Sequence, residues 1–166
     1  MRVTESVGIS TIQKHLKAMA AGVSLDPKRM PGRPDHYQGF RVRLDADDVN
    51  KLVLWWEFEN HTNGKSCKLI DALESASFLP KVKSFLKGAH AQGRGPSDLR
   101  TLPNMEPVIV TNDLGSKFLY SIDGNHRILA QHLSQKGFQD VPAFVCVHPK
   151  MLEWAYIPRC YKRRRP

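Results

Sequence analysis

The run Tyr120-Ser121-Ile122-Asp123-Gly124-Asn125-His126-Arg127-Ile128-Leu129-Ala130 constrains the fold more than any other part of the chain. A short β-rich segment stops at Asp123, one glycine follows, and a helical pattern opens at once. That succession calls for a sheet with helices around it. A helix N-terminus presents N–H groups without intrahelical partners and the positive end of the dipole, so it attracts anions. Gly124 lets a phosphate come close to the backbone. Arg127 adds a planar fork that can grip phosphate oxygens in pairs. The local reading is an anion site for a nucleotide phosphate.

Other segments extend the picture. Phe40-Arg41-Val42-Arg43-Leu44 alternates apolar and basic residues, as a half-buried strand does. Segments 107–110, 118–122 and 142–147 complete a small mixed sheet, with a turn at 112–116. Ile12, Leu16 and Met19 recur at helical spacing, which predicts a helix over 11–23. Asp45 or Asp47 would cap a second helix with Val49, Leu52, Val53 and Trp56 on one face. Further helical patterns cover 66–78 and the stretch after Pro80, so 47–87 reads as an elaborated helical segment. Met151, Leu152, Trp154 and Tyr156 suggest a short helix near the end. The expectation is one α/β or α+β domain over 1–166, a small mixed sheet with surrounding helices, ending in a basic tail over 162–166.

From about 106 to 148 the chain resembles the ParB/sulfiredoxin superfamily. The resemblance is an order of pieces: Pro107-Val108-Ile109-Val110, a turn, Phe118-Leu119-Tyr120-Ser121-Ile122, a Gly-x-x-Arg box, a helix, and Val141-Pro142-Ala143-Phe144-Val145. Partition proteins carry Gly-Glu-Arg-Arg at the box, sulfiredoxins Gly-Cys-His-Arg, and related free-serine kinases Asp-Gly-His-Thr-Arg. Here it reads Asp123-Gly124-Asn125-His126-Arg127. The resemblance implies a ParB/sulfiredoxin-like core whose box, Gly124, Asn125, His126 and Arg127, holds the phosphates of ATP or CTP. Mg²⁺ would arrive with the nucleotide, with Asp123 as its protein ligand; a plain helix cap is the other reading of that residue. Asn125 stands where sulfiredoxins have their catalytic Cys, and an amide supplies no thiolate, so sulfinic-acid reduction by the usual route is not expected. The second Arg of the partition proteins' box is missing, which argues against a partition clamp.

Catalysis, if present, falls to His126 as acid or base, Asp123, and a carboxylate base. Superfamily kinases use an upstream Glu, and the pool here is Glu57, Glu59, Glu74 and Glu106; Glu106, directly before the first core strand, is the favoured member. For each carboxylate a solvated or ion-paired surface role is the plainer reading.

Lys and Arg number 25 against 16 Asp and Glu, a formal charge of +9. That balance suits polyanions. Lys28, Arg29, Arg33, Arg94, Lys162, Arg163, Arg164 and Arg165 are the candidate contacts for DNA phosphates, without sequence preference. An acidic protein partner, or simply a basic surface, would use the same residues. The three cysteines, Cys67, Cys146 and Cys160, form no Cys-x-x-Cys pair and no disulfide pattern, and Cys146 reads as a buried small hydrophobe. No apolar run reaches membrane-spanning length and no signal-peptide core is visible, which favours a cytoplasmic protein; an effector exported without a signal would look the same. Three functions compete. One is a nucleotide-binding NTPase that binds or cleaves DNA, the second a free-serine-kinase-like phosphotransferase, and the third a non-enzymatic plasmid- or phage-type inhibitor or effector. Charge and box together favour the first, and with it an enzyme.

Overall fold

In the computed structural model the described residues are 1–18, 36–53, 68, 69, 80, 106–124, 128 and 140–154. They form a six-stranded mixed sheet with few helices, an α+β arrangement. The strands are β1 (Arg2–Val7), β2 (Gln38–Leu44), β3 (Leu52–Val53), β4 (Val108–Thr111), β5 (Leu119–Asp123) and β6 (Val141–Val147). Their order across the sheet is β1-β2-β6-β4-β5-β3. Neighbours run antiparallel, except that β6 is parallel to β4 and β3 to β5.

The four strands expected from the sequence are all present. β4, β5 and β6 sit inside the sheet and are buried over nearly their whole length, and β4 and β6 accordingly read as near-continuous apolar runs. β2 alternates as expected, with Val42 and Leu44 fully buried and Arg41 exposed. The helix α1 (Ile9–Ala18) packs on β2 and β6 through Ile12 and Leu16. It lies so close that a Cβ on Gly39 would stand 2.9 Å from Ile12 Cδ1 and 2.6 Å from the Val7 carbonyl. Only a glycine admits both neighbours there.

The helix read across Val49, Leu52, Val53 and Trp56 is not what forms. Asp45 does cap, accepting the Asp47 and Asp48 N–H groups at 3.1 and 3.2 Å while Asp48 returns a bond to the Asp45 N–H at 3.0 Å. Yet the helix α2 (Ala46–Val49) lasts one turn. Leu52 and Val53 then enter the sheet beside Leu119 and Tyr120, both fully buried. Burial against β5 outweighs a helical periodicity that was only a weak local preference. β1 was not expected either. Arg2-Val3-Thr4-Glu5-Ser6 has no buried face, and it becomes a strand because β2 offers a ladder to pair with. The short helix near the end appears as a 3-10 turn, Met151–Glu153, followed by the buried Trp154. Met19, Trp56, Tyr156 and nearly all of the patterns at 66–78 and after Pro80 lie outside the described residues.

Candidate functional site

β5 is an interior strand, flanked by β4 and β3. Leu119 to Ile122 are buried, and Asp123 at its end is half-buried. The chain then turns at Gly124, whose φ of 84° is a conformation that costs other residues energy. The Gly124 carbonyl accepts the Ile128 N–H at 2.9 Å, which closes a helical turn directly on the strand. Ile128 is fully buried and pins that turn to the core. Asn125, His126 and Arg127 lie outside the described residues, as do Lys28, Arg29, Arg33, Arg94, Lys162, Arg163, Arg164 and Arg165, and Glu57, Glu59 and Glu74.

Of the expected site residues the structure brings Asp123, Gly124 and Glu106 to one end of the sheet. Val108, two residues after Glu106, pairs with Asp123 across the β4–β5 ladder. Glu106 is firmly held: its Oε2 accepts Arg41 Nε at 3.2 Å, and its carbonyl pairs with His15 Nε2 at 2.7 Å. Arg41 also lies over the Phe144 ring, 5.2 Å from its centre, and His15 packs on the same ring at 4.8 Å. Glu106 thus ties β4 to β2 and α1.

The same end carries a group of charges that sequence reasoning did not single out. The Met1 amine pairs with Asp45 at 2.8 Å and also with the fully buried Asp48, which takes Lys51 Nζ at 3.2 Å. The carboxylates hold the amine above its ordinary pKa, against the opposing effect of its burial. The amine in turn lowers Asp45. No group of three or more His, Cys, Asp or Glu able to hold a metal occurs among the described residues.

At the opposite end, past the last residue of β6, sits an aromatic cluster that was also missed. His148 is 1% exposed, with Tyr37 at 4.3 Å and His36 stacked at 6.2 Å between ring centres. Its Nδ1 accepts the Lys150 N–H at 3.1 Å, so the neutral ring carries its proton on Nε2. Nε2 is buried without a hydrogen-bond partner among the described residues. A ring in that tautomer does not present Nε2 to a metal. Burial lowers the His148 pKa first of all, and His36 and Lys150 lower it further. Burial pushes the Cys146 thiol up to about 12, as suits the small hydrophobe expected there, and raises Tyr37 as well. The signal for His148 was its place directly after the apolar run of β6.

No helix among the described residues is long and apolar enough to cross a membrane. Comparison of the chain with family models, with curated proteins and with solved structures gave no match.

Proposed function

We propose that this chain binds the phosphates of a nucleotide, ATP or CTP, at the turn after β5, as a ParB/sulfiredoxin-like NTPase that also binds or cleaves DNA. One observation carries the reading. An interior strand ends in a glycine at φ 84° whose carbonyl closes a helical turn onto Ile128. The first N–H groups of a helix have no intrahelical partners and attract anions. Asn125, His126 and Arg127 are the residues between Gly124 and Ile128 in the sequence. The order β4, turn, β5, box and β6 supports the resemblance to the superfamily core. Asp123, half-buried at the strand end, suits the one carboxylate that a nucleotide-borne Mg²⁺ ordinarily takes from protein. The +9 charge supports DNA as a sequence-independent partner.

Calorimetry with ATP and CTP in the presence of Mg²⁺ tests the proposal. Arg127→Ala should weaken binding by roughly 10- to 100-fold, the worth of one charged hydrogen bond, with the fold intact. A wild-type chain that binds neither nucleotide sinks it. The Asp-Gly-x-x-Arg wording of the box favours a second reading, a phosphotransferase of the serine-kinase type. Turnover of nucleotide that needs a hydroxyl acceptor rather than DNA would select it. Nucleotide binding with no turnover of either kind would leave a binding module.

A further inference from the structure

We propose that β1 is a self-pairing edge, along which two copies of the chain join antiparallel with Arg2 of one copy set against Glu5 of the other. The two edges of the sheet differ sharply. β3 is two residues long, both buried, and Val53 is also bridged to Lys68. β1 runs for six residues with no glycine or proline, and the side chains of Arg2 through Ser6 are exposed, Val3 among them at 44%. Among the described residues no element lies outside it. Such an edge offers a row of backbone donors and acceptors to another strand.

The charge pattern chooses the partner. Arg2 pairs with Arg43 and Val3 with Val42, but Glu5 pairs with Arg41, so Thr4 is the extra residue of a bulge. The bulge resets the alternation and places Arg2 and Glu5 on the same face, that of Arg41 and Arg43. Ion pairs agree with this placement. Arg2 and Arg43 share the single carboxylate of Asp140, at 3.4 and 3.6 Å. Arg41 alone serves Glu5 and Glu106, at 3.4 and 3.2 Å. Among the described residues, one patch on this face therefore has a surplus positive charge and the next a surplus negative charge. A two-fold axis perpendicular to the sheet, between Val3 and Thr4, sets each patch against its opposite in the second copy, twice over. Charges and bulges usually blunt an edge; this pair makes one register self-complementary. An unrelated extended peptide would find the same backbone groups and leave both surpluses standing.

Sedimentation velocity on the full chain over a concentration series tests this. The expected result is a monomer–dimer equilibrium that weakens as salt is raised. Arg2→Glu places negative against negative, and Glu5→Arg positive against positive, so each variant should raise the dimer Kd by at least about tenfold. The two variants mixed in equal amounts should dimerise again, because each then meets its opposite. Both should keep the wild-type circular dichroism, since each substituted side chain is exposed. A wild-type chain that stays monomeric throughout overturns the proposal. So do single variants that dimerise like wild type, or a mixture that stays monomeric. A monomeric chain whose β1 takes up an unrelated strand-forming peptide would also overturn it, assigning the edge to another partner.

Discussion

Where β5 stops and β4, β6 and β1 begin, the sheet ends in acidic and basic residues: the Met1 amine, Arg2, Arg43, Asp45, Glu106, Asp123 and Asp140. Where β6 and β4 stop and β2 begins, it ends in Tyr37, Cys146 and His148, buried and held neutral at ordinary pH. Both ends are built from polar residue types. They differ because the first keeps its charges paired and largely in contact with water, while the second removes its titratable groups from water and so suppresses their charge. Of the two, the first can meet a charged ligand without first overcoming desolvation. This is why Asp123 and Gly124, rather than the histidine cluster, mark the candidate site.

Asp48 offers the largest test of that contrast, being the one fully buried carboxylate among the described residues of the charged end. Asp48→Ala strips partners from the Met1 amine, Lys51 and the Asp45 N–H together. Breaking a buried ion pair from one side should cost about 3 kcal/mol, read by urea unfolding. A loss below about 1 kcal/mol would show that paired charge is not what holds this end. Gly124→Ala comes next. A side chain forced to φ 84° should cost about 1–2 kcal/mol, and an unchanged midpoint would mean the turn after β5 relaxes freely.

Acid and alkali should separate the two ends more gently. The Met1 amine has a raised folded pKa, so its stabilisation is present below about pH 8 and is lost as pH climbs through the folded value. His148 is lowered, so its neutral burial stabilises above about pH 6.5 and does so less as pH falls from there. Asp45, also lowered, adds a loss below about pH 4. A profile of Tm against pH should therefore be flat between roughly 6.5 and 8 and fall on both sides. Acetylating the Met1 amine should remove its share of the alkaline limb and, because the amine lowers Asp45, shrink the loss below about pH 4 as well, leaving the His148 step in mild acid in place. The smallest effect belongs to His148→Phe, which keeps a ring against Tyr37 and removes the Nε2–H that has no acceptor among the described residues. At pH 7.5 it should change stability by less than about 1 kcal/mol and abolish the loss in mild acid. A large destabilisation would mean that the ring nitrogens, not ring packing, hold that end.

Much of the central fold was legible in one dimension. Interior strands such as β6 are apolar along their length, and a glycine between a strand and a helical pattern announces its turn. A cap at Asp45 or Asp47 was legible because capping involves only residues two or three apart, and the structure selects Asp45. The site was half legible on the same terms: Asp123 and Gly124 stand where the pattern put them. Glu106 was named as a carboxylate before a strand, but its tie to Arg41 spans 65 positions and leaves no local trace.

What the sequence by itself determined is the set of interior strands, the Gly124 turn, a cap at Asp45 or Asp47 and the burial of Cys146. Each follows from hydrophobic periodicity or backbone chemistry within a few residues, where the energetic preference is already present in a short segment. Only the tertiary structure made β1 a strand, drew Leu52 and Val53 out of a helix, buried His148, and set Arg2 and Glu5 on one face through the bulge at Thr4. In each of these the deciding partner is remote in the chain. Pairing with a distant strand supplies hydrogen bonds and buried area that no local preference can anticipate, and that gain exceeds the small differences in propensity on which a local reading depends.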